Sequence, residues 1–239
     1  MNHPIVFIHG SGDSARAWRL QVEGLRDHHK VFAIDLPGHG QRADTLPQET
    51  TVLDYAQAVH KIIQQELHLD HPIIAGHSLG GAIALMMALE YGDELGGLIL
   101  IGTGARLRVL PASLEAARTT PQQARIVLTK AGVAPVNVET VPPTILSEQI
   151  EPASYILYRD LSACNIFDCM PRLQDIHLPT LIICGTEDAA TPVKYSQYLH
   201  EHIAGSALRI IADSGHYVMR EKPEIVNQAI TEWLERHSD

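Results

Sequence analysis

The residues best suited to chemistry in this sequence are Gly76-His77-Ser78-Leu79-Gly80-Gly81, where a serine stands two positions from a glycine on either side. The apolar run Pro72–Ala75 leads into this segment and the apolar run Ala82–Leu89 leaves it. The spacing predicts a serine at a sharp strand-to-helix turn. The strained backbone of such a turn demands small neighbours, and the start of the helix brings unpaired backbone N–H groups beside the hydroxyl. A serine so placed can attack an ester-like carbonyl once a general base takes its proton.

Candidate partners follow later in the chain, acid first and histidine second. Gly185-Thr186-Glu187-Asp188-Ala189-Ala190-Thr191-Pro192 follows the β-rich run Thr180–Cys184, and Asp213-Ser214-Gly215-His216-Tyr217 follows the run Ala207–Ile211. Ligands of open α/β sheets sit beyond the carboxyl ends of the strands, so Ser78, Asp188 and His216 are expected to converge on one edge. Glu187 competes with Asp188 for the acid role, whereas Asp213 reads as a turn residue. Together the three residues describe a two-step acyl transfer. His216 takes the Ser78 proton, Asp188 holds the imidazole tautomer, and main-chain donors stabilise the oxyanion.

Positioning them requires a parallel sheet covered by helices. Strands are expected at Ile5–His9, Lys30–Asp35, Pro72–Gly76, Leu98–Ile101, Thr180–Cys184 and Ala207–Ile211, short runs without polar alternation, as in strands buried on both faces. Helical periodicity lies between them at Arg16–Leu25, Thr51–Leu67, Leu79–Tyr91, Val193–His202 and Pro223–His237. Residues 105–175 interrupt this rhythm, with Pro111, Pro121, Pro135, Pro142, Pro143, Pro152 and Pro171 dividing short helices. The expected organisation is a core of residues 1–104 and 176–239 with a helical lid over 105–175. Ile156, Leu157, Leu161 and Phe167 in that lid are apolar at helical spacing, and they either line an acyl pocket or pack the lid itself. Acids and bases balance within the segment, which offers no obvious anion clamp and disfavours large phosphorylated thioesters.

Composition narrows the setting. A chain of 239 residues with 45% apolar and 19% charged residues suits one soluble domain with an insertion. No apolar run approaches a membrane span and no secretory leader is apparent, so a cytoplasmic protein without a membrane partner is expected. A net charge of −10 without a basic run argues against nucleic acid. The 14 histidines are scattered without metal-ligand spacing, and Cys164, Cys169 and Cys184 read as buried thiols. Neither a metal nor a cofactor is expected.

The quoted motifs resemble the α/β-hydrolase superfamily in family order. His9-Gly10-Ser11-Gly12 resembles the HG-x-G turn after the first core strand, and Asp35-Leu36-Pro37-Gly38-His39-Gly40 partly matches the D-x-x-G-x-G loop. The resemblance spans residues 5 to 216 and implies an α/β-hydrolase fold with an oxyanion hole made by the backbone N–H groups of Ser11 and Leu79. Gly10 and His77 then adjoin the substrate. Because the chain starts almost at the HG strand, about six mostly parallel strands are expected, without the family's N-terminal hairpin. The text around Asp160–Asp168 is similar to that of small lid-bearing carboxylesterases and enol-lactonases. The resemblance therefore implies a small ester or lactone as substrate; a monomer or homodimer is expected. A carbon–carbon bond hydrolase or thioesterase using the same residues, and a non-catalytic small-molecule receptor, are the alternatives.

Overall fold

The computed structural model describes residues 3–148 and 153–237. Six strands, β1 (Ile5–Ile8), β2 (Val31–Ile34), β3 (Ile73–His77), β4 (Gly97–Ile101), β5 (Thr180–Gly185) and β6 (Ala207–Ile211), form one sheet in the order β2-β1-β3-β4-β5-β6. All five pairings are parallel, with Val6 opposite both Phe32 and Ile74, and Ile182 opposite both Leu100 and Leu208. Each strand falls within a residue or two of its expected position.

Burial explains the lack of alternation in the sequence. β1, β3, β4 and β5 are buried at every position, and only the edge strands β2 and β6 show exposure. Successive residues feed different cores. Val6, Ile8, Ile74, Leu98 and Leu100 pack on one face, while Ile5, Phe7, Ile73, Ile99 and Ile101 pack on the other against Trp18 and Trp233. Parallel strands of this kind need covering helices on both sides.

Those helices are α1 (Arg19–Leu25), α2 (Val52–Lys61), α3 (Leu79–Tyr91), α4 (Pro111–Thr119), α5 (Pro121–Gly132), α6 (Val141–Glu148), α7 (Ile156–Ile166), α8 (Val193–His202), α9 (Val218–Glu221) and α10 (Pro223–Arg236). Two expected helices are composite. A 3₁₀ turn at Ala15–Trp18 leads into α1, and α2 runs on into a π-helical turn at Ile62–Leu67 that ends at His68 with φ +50°. A reciprocal cap starts α2, where the Asp54 amide donates to the Thr51 hydroxyl and the Thr51 amide donates to the Asp54 carboxylate.

Helices α4 to α7 lie between β4 and β5, within the stretch expected to be an insertion. Pro111 and Pro121 each occupy the first position of a helix, where the missing N–H costs nothing. Pro152, another expected break, lies outside the described residues. The sheet order reverses at β1, which is flanked by β2 and β3, so the switch point falls between the carboxyl ends of β1 and β3. His9–Gly12 follows the first of these strands and Ser78 the second. No described helix is long and apolar enough to cross a membrane.

Candidate active site

Ser78 sits between β3 and α3 with φ +53° and ψ −115°, a conformation rare for a side chain other than glycine's and a mark of stored backbone strain. Its neighbours show why the spacing is obligatory. A Cβ on Gly76 would lie 2.1 Å from the Gly80 carbonyl oxygen, and one on Gly80 would lie 2.2 Å from the Ile8 carbonyl oxygen. Both approaches are to backbone, so no rotamer change could relieve them. The turn is pinned by the Ser78 amide donating to the Ile101 carbonyl at 3.0 Å and the Thr103 hydroxyl donating to the Ser78 carbonyl at 2.8 Å.

His216 lies past β6 and Asp188 past β5, and the two are in direct contact. Nδ1 of His216 stands 2.9 Å and 3.1 Å from the two carboxylate oxygens of Asp188. The carboxylate also accepts from the Thr191 amide at 2.7 Å, the Thr191 hydroxyl at 2.8 Å and the Ala190 amide at 2.9 Å. Burial would raise its pKa, but the facing imidazole and the Thr191 donors hold Asp188 below the usual carboxylate range. With Nδ1 committed to Asp188, Nε2 of His216 is the nitrogen left to accept a proton. Glu187 is exposed, and Asp213 is an exposed turn residue with φ +53°.

The imidazole is held close to the elbow through His77. His77 Nε2 donates to the His216 carbonyl at 2.9 Å, and the two rings lie 4.7 Å apart. Burial and the neighbouring His216 push the His77 pKa down to about 3, so this ring is a neutral spacer. Gly102, at the end of β4, completes the seat. A Cβ there would lie 3.0 Å from the His216 carbonyl oxygen and 3.4 Å from Asp188 Oδ2.

The predicted oxyanion donors lie just past the two strands flanking the switch point. Leu79 begins α3, so its N–H points out of the positive end of a 13-residue helix. Ser11 follows a turn locked by His9, whose Nδ1–H donates to the Gly10 carbonyl at 2.8 Å while Nε2 accepts the Leu36 amide at 3.1 Å. Burial and nearby His39 lower the His9 pKa to about 3, which keeps that tautomer neutral. Gly10 packs against the elbow, since a Cβ there would lie 2.9 Å from His77 Nδ1 and 3.3 Å from the Ser78 Cβ.

Beside this turn stands a junction that no local motif announced. Asp160, fully buried on α7, accepts from the Gly12 amide at 2.8 Å, from His39 Nε2 at 2.8 Å and from the Tyr55 hydroxyl. Burial works against its charge, yet His39 and these donors hold its pKa below the usual carboxylate range. His39 is raised above its ordinary value: burial opposes the charge, and Asp160 outweighs it. The adjacent Arg159 donates to Asp44, to the Pro37 carbonyl and to the Tyr55 hydroxyl. The helical stretch between β4 and β5 thus supplies a buried carboxylate that fixes the residue after Ser11. It grips the histidine loop too. The His216 amide donates to the Gly132 carbonyl at 2.6 Å, and Glu221 accepts from Gly215, Ala134 and Asn137.

The apolar side chains expected at the substrate are divided among different surroundings. Leu157 reaches the His9–Gly12 turn, where its Cδ1 would meet a Gly12 Cβ at 3.0 Å. Ile156 is buried against Gly38, Phe167 joins the core beneath α3, and Leu161 is half-buried in a small cluster with Ala117 and Ala124. Thr191 was legible in principle, since a threonine three residues after an Asp in a loop is a common side-chain-to-backbone turn. Asp160, His39 and Tyr55 were not, because 121 and 105 positions separate Asp160 from its two partners. Among the described residues no group of histidine, cysteine and acidic side chains has the arrangement of a metal site. The three cysteines are buried free thiols, with burial pushing Cys164 and Cys169 up to about 12.

The chain matches the alpha/beta hydrolase family from residue 5 to residue 229 and belongs to it. It is a hydrolase of that type. A malate-bound thermophilic esterase from Thermogutta terrifontis is similar at 26% identity, with a TM-score of 0.88 over 98% of this chain and 90% of that one. In sequence, 3-oxoadipate enol-lactonase 2 of Acinetobacter baylyi is 24% identical across 97% of this chain and 88% of its own length. The 2-hydroxy-6-oxononadienedioate/2-hydroxy-6-oxononatrienedioate hydrolase of Escherichia coli is 25% identical across 97% and 87%.

Proposed function

We propose that this protein hydrolyses small carboxylic esters or lactones through Ser78, His216 and Asp188, by way of an acyl-enzyme. The observation that carries the reading is the committed His216 Nδ1, held by a buried Asp188 that also accepts from Thr191, with the ring braced against the residue before a strained serine. In the first step His216 Nε2 takes the hydroxyl proton as Ser78 Oγ attacks the carbonyl. The oxyanion forms between the N–H groups of Ser11 and Leu79, and the imidazolium is stabilised by Asp188. His216 then protonates the departing alkoxide. A water enters, gives its proton to His216 and attacks the acyl carbonyl, and Ser78 leaves with that proton. The esterase and lactonase names among the relatives favour this substrate class.

The test is turnover of short-chain p-nitrophenyl esters by wild type and by Ser78→Ala, with fluorophosphonate labelling of Ser78 alongside. Wild-type turnover that the variant lowers by about 10³-fold or more supports the reading. Equal background rates and an unlabelled serine overturn it. The named carbon–carbon hydrolase relative supports a second reading on the same three residues. Vinylogous diketones cleaved faster than any ester or lactone would select it.

A further inference from the structure

A cavity of about 660 Å³ lies between α4, the start of α5 and α7, walled by Thr119, Thr120, Gln122, Gln123, Arg125 and Leu157 among others. That is the size range of small-molecule sites. Its polar content is unbalanced toward positive charge. Nε and Nη1 of Arg125 are shut from solvent and have no hydrogen-bond partner. The other arginines of the insertion are all engaged: Arg106 with Asp168, Arg108 with the Asn165 carbonyl, Arg118 with Glu115, Arg159 with Asp44 and Arg172 with Glu90. Net neutrality of this segment therefore conceals one guanidinium whose partner is missing among the described residues. Arg125 is half-buried, and its Nε and Nη1 face away from solvent without an acceptor, so an incoming anion would supply one.

The start of α5 adds to the same field. Thr120 precedes the helix but does not cap it, because its hydroxyl donates back to the Ala116 carbonyl at 3.2 Å. Pro121 has no N–H, the first turn carries no acid, and the first amide bonded back is Ala124, to the Thr120 carbonyl. The amides of Gln122 and Gln123 thus precede the first helical hydrogen bond, at the wall of the cavity, in a helix of 12 residues.

Two residues relate the cavity to the turns around the serine. Leu157 is a wall of it and also the side chain against Gly12 of the oxyanion turn. From Arg125, α5 runs seven residues to Gly132, whose carbonyl accepts the His216 amide. Seven residues are two turns, so both lie on one helix face, about 10 Å apart along the axis. We infer that this cavity is an anion subsite, in which Arg125 and the start of α5 hold a carboxylate carried by the substrate at the end remote from its scissile carbonyl. The inference rests on the ester or lactone reading and narrows it to substrates with a second, anionic end.

The test compares p-nitrophenyl monoesters of linear dicarboxylic acids, from glutarate to suberate, with neutral esters of equal chain length. Wild type, Arg125→Gln and Arg125→Lys are assayed on both series. The expected result is a preference of wild type for an anionic ester of matching length. Arg125→Gln should lower the anionic-to-neutral ratio of kcat/KM by about 10- to 100-fold, chiefly through KM, and Arg125→Lys should restore part of it. Equal losses on both series would mean that Arg125 only packs the insertion, and would overturn the proposal. Calorimetric titration of free suberate into wild type and Arg125→Gln reads the subsite without turnover. Suberate binding that the substitution leaves unchanged also overturns it. If Ser78→Ala abolishes neutral-ester turnover but no anionic preference exists, the subsite fails while the hydrolase reading stands. If wild type turns over neither series, the ester reading fails, and the titration alone decides the subsite.

Discussion

The molecule contains two imidazole pairs built to the same plan but with their ring nitrogens spent differently. His9 and His39 lie 4.8 Å apart beside Asp160, and His77 and His216 lie 4.7 Å apart beside Asp188. In each pair one ring, His9 or His77, is fully enclosed and held neutral, its pKa lowered to about 3. The other ring faces a buried carboxylate, at 2.8 Å for His39 and 2.9 Å for His216. The difference is which nitrogens are spent. His39 gives Nε2 to Asp160 and Nδ1 to the Pro37 carbonyl, so neither nitrogen can exchange a proton with a ligand. His216 gives Nδ1 to Asp188 and keeps Nε2. A histidine–carboxylate contact is thus no signature of proton transfer by itself; a vacant second nitrogen at the edge of the site is required.

The comparison breaks most sharply at the carboxylates. Asp188→Asn should keep the fold and lower kcat on a p-nitrophenyl ester by about 10⁴-fold, because the amide no longer favours the productive tautomer. A loss under tenfold would remove Asp188 from the mechanism. Asp160→Ala should act mainly on stability instead. It leaves the His39 imidazole, the Tyr55 hydroxyl and the Gly12 amide buried without their acceptor. Removing one partner of a buried pair costs about 3–5 kcal/mol, readable as a lowered urea midpoint at unchanged m-value. Because Gly12 adjoins Ser11, residual folded protein should also show reduced kcat with KM little changed. A variant as stable as wild type would mean that the junction is not the anchor the geometry describes.

These two sites also differ in how far the chain discloses them. Ser78, Asp188 and His216 each follow a strand, and a parallel sheet brings strand carboxyl ends to one edge whatever the helices do. The contact of Asp188 with His216 beside the elbow was legible because the fold class alone brings those strand ends together. The six strands were legible for a related reason, since apolar runs of four to six residues bounded by Gly, Pro or Asp leave few other assignments. Asp160 was hidden because it lies inside α7, between a basic residue and an apolar one, like any surface acid. Only packing of α7 against the His9–Gly12 turn turns it inward. Arg125 was hidden by arithmetic, since equal numbers of acids and bases say nothing about which of them meet.

A smaller effect tests the third arm of the junction. Tyr55→Phe removes one hydroxyl that donates to the Asp160 carboxylate and accepts from Arg159 Nε at 3.0 Å. Hydrogen bonds to charged groups contribute about 1.5–3 kcal/mol, so chemical denaturation should find a loss in that range. Loss of activity beyond the loss of folded protein would show that Tyr55 reaches the oxyanion turn through Asp160. An unchanged denaturation midpoint would place the hydroxyl outside the network's energetics.

The smallest expected effect, at most about 1.4 kcal/mol per pH unit for one proton, separates His39 from the enclosed rings of His9 and His77 by sign. The His39 pKa is raised on folding, so its contribution is complete below its unfolded value near 6.5 and is lost as pH climbs through the folded value. The Asp160 pKa is lowered, so its contribution is complete above about 3.8 and is lost as pH falls through the folded value. The junction is therefore strongest between roughly pH 4 and 6.5 and weakens on the alkaline side. His9 and His77 work the other way, since rings kept neutral down to about 3 make stability rise with pH up to 6.5. Subtracting the stability of His39→Gln from that of wild type cancels most of that background and isolates the junction. The difference should shrink steadily above pH 6.5 in urea unfolding series run to pH 9. A stability difference that stays flat across that range would mean His39 is neutral in the folded protein, and would leave Asp160 held by dipoles alone.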